Sequence, residues 1–233
     1  MAQEGVPLQA LSGVTRNADW APGIVELDGV PMAFVPAGCF QMGSMDGDDD
    51  EAPVHEVCFE RPFWIDVYEV TNQQYRSSGF WAGDDLPRES VNWFDAAAHC
   101  ESRGARLPAE VEWEYAARGP DGLIYPWGDE FTGDYVVWNV GQTAPVGSKP
   151  GGASWVGALD MTGNVWEWAA DWYDDYPSGR QVNPTGPESG SYRVLRGGAW
   201  DYGDTIRLRA ANRYRIDPGN VGYDYGFRCA LSH

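Results

Sequence analysis

The side chains capable of chemistry are few, and their spacing is informative. The four cysteines stand at 39, 58, 100 and 229, with no Cys-x-x-Cys pair. That spacing excludes a zinc ribbon or a thioredoxin-like redox centre. Cys39 and Cys58 flank a stretch that reads as a hairpin, where they either face each other or fill the core as small apolar residues. The three histidines, His55, His99 and His233, lie in no nucleophile motif, and His99, within AAAHCES, reads as a helix side chain. The acidic run 46–51 lacks the spacing of a calcium-binding EF-hand loop and reads as a solvated loop. A different pattern covers residues 201–225. Tyr202, Tyr214, Tyr223 and Tyr225 alternate with Asp201, Asp204, Asn220 and Asp224, among glycines. Tyr offers large, fairly rigid contact area, and Asp, Asn and Gly add adaptable polar contacts, so this is the composition of a binding surface.

Whole-chain composition narrows the function classes. The chain has 233 residues, 43% hydrophobic and 14% aromatic, with 29 Gly, 16 Pro and 12 Trp. It is too apolar for disorder and too interrupted by Gly and Pro for a helix bundle. A formal charge of −19 repels phosphate backbones and disfavours a nucleic-acid partner. The charge is uneven: Arg193, Arg196, Arg207, Arg209, Arg213, Arg215 and Arg228 make the C-terminal segment net basic, and guanidinium forks are the usual ties for irregular backbone. No apolar run is long enough to span a bilayer. The opening MAQEGVPLQALSG lacks a basic n-region and a long apolar stretch. The expectation is a cytoplasmic protein, without membrane insertion, acting as a monomer.

The elements that must position these residues are short. Residues 1–25 read as an N-terminal arm or linker and 26–233 as one domain. IVELDG, MAFVPAGCFQMG, VHEVCFE and FWIDVYEV read as strands, with turns near Pro36-Ala37-Gly38 and Arg61-Pro62. One helix begins at Thr71, with Gln74 completing a capping box. A second begins after Asn92 and ends at Gly104. A third opens at Pro108 and ends at Gly119. Beyond residue 120 periodicity disappears, so the fold class is α+β, with many irregular loops held by aromatic packing.

Seven segments then act together: VPAGCFQMGS (35–44), YEVTNQQY (68–75), RLPAEVEWEYAARG (106–119), YPWGDEF (125–131), DMTGNVWEWAADWY (160–173), RVLRGGAW (193–200) and GFRCA (226–230). In this order they resemble the formylglycine-generating enzyme family, the sulfatase-modifying-factor domain. The resemblance implies a variant of the C-type lectin fold, with a small antiparallel sheet and a core that includes Trp113, Trp166, Trp168 and Trp172. Family oxidases convert a sulfatase cysteine to formylglycine with copper held by two cysteines just after the RGG segment. Here RGGAWDYGDTIRLRAANRYR (196–215) contains no Cys, and Cu(I) needs soft thiolates. Copper is therefore not expected. Nor is the iron of the sulfoxide-synthase branch, whose histidines come largely from a domain missing here. Cys100 and Cys229 match positions that the family can join by a disulfide; in a reducing cytosol two buried thiols are expected. The family's structural Ca²⁺ loop corresponds to 160–167. It implies carboxylate ligands from Asp160 and Glu167 and carbonyl ligands from Gly163 and Val165. The family's second calcium site lacks its Asp here.

The segment after RGGAW also resembles the variable region of proteins diversified by retroelements. In these, mutagenesis of AAY codons does not produce Lys, Glu, Gln, Met or Trp, and none of these occurs in 201–225. The expectation is a non-catalytic domain binding a macromolecule, a protein in the first instance. Its accessible contact set would be Asp201, Tyr202, Asp204, Ile206, Tyr214, Ile216, Asn220, Tyr223, Asp224 and Tyr225. Arg207, Arg209, Arg213 and Arg228 would point inward or along the loops as ties. The alternative is an oxidase or accessory domain acting on a sulfatase-type substrate.

Overall fold

Ile24–Leu27 (β1) and Val30–Val35 (β2) form an antiparallel hairpin whose turn is Asp28-Gly29, both with positive φ (50° and 78°). Asp-Gly suits a two-residue turn of this hand, because Gly carries no Cβ penalty there. The computed structural model describes residues 13–232. Strand β2 pairs on its other side with Phe63–Asp66 (β5), which takes Ala230–Ser232 (β11) on its far edge. The two ends of the domain thus meet in one sheet. Residues 1–12 of the N-terminal arm, and His233, lie outside the described residues. The remainder of the arm is docked: Val14 is buried and donates its N–H to the Ala37 carbonyl, 3.0 Å away.

Gly38–Met42 (β3) and His55–Phe59 (β4) pair with Cys39 directly opposite Cys58, and the two form a disulfide. Cys100 and Cys229 form a second. The buried thiols expected at that pair are therefore absent: the second helix and the residue just before the last strand are covalently joined. A third sheet carries the C-terminal half. Trp166–Trp172 (β6) lies between Tyr225–Gly226 (β10), parallel to it, and Arg193–Arg196 (β8), which pairs in turn with Arg213–Ile216 (β9). The short Gln181–Val182 (β7) runs parallel to β4.

Three helices pack on these sheets. Asn72–Tyr75 (α1) is a single turn closed by the Thr71–Gln74 capping box: Thr71 Oγ1 accepts from the Gln74 N–H and Gln74 Oε1 from the Thr71 N–H. Trp93–Ser102 (α2) is capped by the Asn92 side chain, which accepts from the Asp95 N–H at 2.9 Å. Glu110–Arg118 (α3) begins two residues later than Pro108 suggests. Its cap residue, Ala109, has no side-chain oxygen. The Glu110 N–H is met instead by the Asp171 carboxylate at 2.6 Å, and the Ala109 N–H by Glu112 at 2.8 Å. All of α3 is buried, so its charged residues require partners.

The apolar core has two main clusters. One surrounds α3 with Trp113, Tyr115, Phe40 and Phe59; the other lies between α2 and β6 with Trp166, Trp168, Phe227 and the Cys100–Cys229 bridge. Trp172 belongs to neither. It is half-buried, with the Arg193 guanidinium 3.6 Å above its ring. The acidic run 46–51 is not wholly solvated either. Glu51 is fully buried and receives Arg209 Nη1 at 2.9 Å, so this loop supplies counter-charge to the basic C-terminal segment.

Candidate binding surface

The segment 200–225 is fixed from beneath by backbone bonds. The Trp200 N–H donates to Asn164 O, the Trp166 N–H to Asp224 O at 2.8 Å, and the Ser90 N–H to Gly222 O at 2.9 Å. Charged ties add to this. Arg213 forks onto both oxygens of Glu110 at 2.8 Å and donates to the carbonyls of Asp50 and Asp174. Arg209 reaches Glu51 and Ser44. Arg228 is wholly buried against Glu167. Arg207 departs from this pattern. It is half-buried, forms no carboxylate or carbonyl tie among the described residues, and lies 5.9 Å over the Tyr202 ring. Its nearest role is to back a surface tyrosine.

None of the ten proposed contact residues is buried. Asp201, Tyr202, Tyr223, Asp224 and Tyr225 come together around an open hollow of about 550 Å³, completed by Phe80, Ser90, Val221 and Gly222. Tyr214 packs on Trp166, with ring centroids 5.6 Å apart, and lines a second hollow with Asp48–Asp50, Arg207, Arg213 and Arg215. Ile216 packs against the α2–β6 cluster. Asp204, Ile206 and Asn220 are exposed and line neither hollow.

The hollow has an aromatic floor and an acidic wall. The Trp166 indole N–H donates to the Tyr202 hydroxyl at 3.2 Å, and Tyr223 stacks obliquely on Trp200, centroids 5.8 Å apart. Phe80, 67% exposed, stands edge-on to Trp81 and 6.3 Å from Tyr223. Partial burial, and then the neighbouring Asp201, push the Asp224 carboxyl up to about 6. Burial also raises Asp201. Tyr225 and Tyr202 are raised by burial and by the same carboxylates. Phe80 and Val221 are not evident from sequence. The adjacent aromatic pair Phe80-Trp81 in a Gly- and Asp-rich loop is the signal that marks the first of them.

The loop 160–167 is a separate polar centre. Asp160, Gly163 and Asn164 all take positive φ (54°, 76° and 60°), and a Cβ at 163 would strike the Val137 carbonyl. Asp160 accepts from the Gly147 N–H at 2.6 Å. Glu167 accepts from the Trp113 indole at 2.8 Å and from Arg228. Glu69 is buried with both carboxylate oxygens unpartnered, in the electrostatic field of Asp160, Glu167 and Arg228. Burial, and then the charges of Asp160 and Glu167, push the Glu69 carboxyl well above the usual carboxylate range, and burial pushes Asp160 up to about 6, so three buried carboxyl groups share one guanidinium and a divalent cation would have to draw out their charge. No three acidic, His or Cys side chains among the described residues form a metal cage, so a cation here would depend on the Gly163 and Val165 carbonyls beside Asp160 and Glu167.

The sulfatase-modifying factor enzyme 1-like domain matches residues 25–233. The chain belongs to that family. Among curated relatives, this sulfatase-modifying factor domain is 37% identical to the serine/threonine-protein kinase pkn1 of Chlamydia caviae, covering 85% of this chain but only 37% of that protein. It is 31% identical to the inactive C-alpha-formylglycine-generating enzyme 2 of Mus musculus, covering 86% of this chain and 85% of that one. Among solved structures, variable protein 1 of Treponema denticola superposes with a TM-score of 0.77 at 25% identity, covering 91% of this chain and 99% of that one. The domain therefore has the α+β, C-type lectin-like architecture of its family. That family includes a member described as inactive, and the fold resembles that of a variable protein. No helix among the described residues is long and apolar enough to cross a membrane.

Proposed function

We propose that this domain is a non-catalytic protein-binding module that presents the Tyr- and Asp-rich surface of residues 201–225 to its partner. The observation carrying this reading is a division of labour within one segment. Arg209, Arg213 and Arg228 are tied to carboxylates and backbone, while none of the ten contact candidates is buried, five of them being exposed and five half-buried. Irregular loops need fixed polar ties, and with those in place the exposed positions can change without unfolding the domain. The likeness to a variable protein supports reading these positions as diversified. The chemistry of 196–215 supports the non-catalytic part. It has no cysteine, and all four cysteines of the chain are held in disulfides, leaving no thiolate pair for copper. Two disulfides suit an oxidising compartment better than the cytosol expected from sequence.

Two experiments test this. A photo-crosslinking residue at Tyr223 should trap a partner that the same residue at Val25 does not, and adding Ala at both Asp204 and Ile206 to the Tyr223 crosslinking variant should abolish the capture. Incubation with copper, oxygen and a sulfatase-motif cysteine peptide should yield no aldehyde. Turnover there, or equal capture from both positions, would overturn the reading. We further propose a structural Ca²⁺ held by Asp160, Glu167 and the carbonyls of Gly163 and Val165. Its hard oxygen donors fit the ion.

A further inference from the structure

We propose that the hollow between Asp201 and Asp224 seats the guanidinium of an arginine on the protein partner, clasped by the two carboxylates and the surrounding tyrosine rings. This rests on the reading of the face as a binding surface and adds the chemistry of what it receives.

The first observation is the absence of any basic residue from the lining of this hollow, among the described residues, although two carboxylates stand in it. Several buried acids elsewhere each have their own arginine: Glu110 with Arg213, Glu114 with Arg196, Glu51 with Arg209 and Glu167 with Arg228. The charges acting on Asp224 are those of Asp201 and Glu89, both negative. Two like charges held together in a partly desolvated hollow cost free energy, and a cation from a partner relieves it.

The second observation is the ring set. Tyr202, Tyr223 and Tyr225 line the same hollow. A ring face attracts a cation, and a planar guanidinium both stacks on aromatic faces and bonds carboxylates through its fork, which an ammonium cannot do. Exposed Phe80 and Val221 (67% and 58%) offer apolar cover for the aliphatic stem of the same side chain. A volume of about 550 Å³ admits one long side chain together with part of its flanking chain.

The test uses the full chain and a defined probe, acetyl-Gly-Arg-Gly-amide, with the peptide carrying neutral, near-isosteric citrulline as its match. Titration followed by NMR should give saturable shifts at the Trp200 indole and the Tyr223 ring with the arginine peptide, and at least tenfold weaker binding of the citrulline peptide. Asp201→Asn with Asp224→Asn should weaken arginine binding at least tenfold. Glu26→Gln, an exposed acid on β1, should leave it unchanged. Asp201 is exposed, so Asp201→Asn alone serves if the double variant fails to fold, with a smaller loss in the same direction. Equal binding of the two peptides, no saturable shift, or an unaffected Asn variant would overturn the inference. Failure here combined with partner capture at Tyr223 would leave the binding face standing and remove only its cation; failure of both would remove the face itself.

Discussion

Arg228 and Glu167 lock together at the centre of the domain, with Nε 2.6 Å from Oε2 and Nη2 2.7 Å from Oε1. The remaining N–H groups of Arg228 go to the carbonyls of Asp66, Val67 and Leu159. One side chain therefore joins β6, the chain leaving β5 and the residue that leads into the 160–167 loop. Arg228→Ala would leave the buried Glu167 carboxylate without its counter-charge, bonded only by the Trp113 indole N–H, and would take a donor from the carbonyls of Asp66, Val67 and Leu159. The expected loss is about 3–5 kcal/mol in urea unfolding, as for other broken buried pairs. Arg228→Lys should recover little, because a single ammonium cannot reproduce the fork. A wild-type unfolding midpoint for the Ala variant would refute this account.

Arg213 and the exposed contact set should behave oppositely. Arg213 is buried and donates to Glu110 and to two carbonyls on separate loops. Arg213→Ala should cost several kcal/mol, about 3 or more, as removal of a buried charged partner does. Ala at Asp204, Ile206 or Asn220 should each stay within about ±0.5 kcal/mol. Thermal melts of the four variants decide it, and comparable losses in both groups would show that the contact set is structural.

Much of this was legible from sequence where the partners are local. The cap of α1 needs only Thr71 and Gln74, and that of α2 only Asn92 and Asp95, so spacing reveals them. The start of α3 was not legible, because its cap is Asp171, 61 residues away. Tryptophans read as core, yet Trp172 lies under Arg193; only the fold shows which cation covers which ring. The same holds for arginines. The ties of Arg209 and Arg213 depend on Glu51 and Glu110, distant in sequence, and Arg207 looks no different from them until its missing partner is seen. In the binding surface, the Tyr and Asp positions announced themselves by composition, whereas Phe80 and Val221 complete the hollow only because the 88–93 segment bonds to 218–222.

Asp171 gives a pH signature. Burial, and then the charge of Glu110, push its carboxyl from the ordinary 3.8 up to about 7. Between these values the folded state holds a proton that the unfolded chain has released. The contribution of this group to stability is therefore greatest at low pH and is lost as pH rises through the folded value. Asp171→Asn cannot ionise, yet keeps an oxygen for the Glu110 N–H. Its stability relative to the parent should rise between about pH 5 and about pH 8, by roughly 2 kcal/mol. A pH-independent difference in denaturation midpoints would contradict the assignment.

The calcium proposal is decided by the same kind of charge balance. Glu69, Asp160 and Glu167 are all at least nine-tenths buried, and Arg228 is the cation that offsets them. Arg228 bonds Glu167, whereas Glu69 accepts no hydrogen bond at either oxygen. A divalent ion bound through Asp160, Glu167 and two carbonyls would neutralise the remainder. Because it would bind only the native state, it should stabilise by mass action, by about 2.7 kcal/mol at a hundredfold excess over its dissociation constant. The melting temperature should then be higher in calcium than in chelator, and Asp160→Asn should shrink the difference. Glu69→Gln separates charge from ligation. It fixes in neutral form a carboxyl that burial already pushes well above the usual carboxylate range, without removing a proposed ligand, so it should stabilise the chelated protein as pH rises and weaken calcium binding only so far as the ion draws Glu69 into its charged form. Identical melting in calcium and in chelator would leave the buried carboxylates balanced by protons alone.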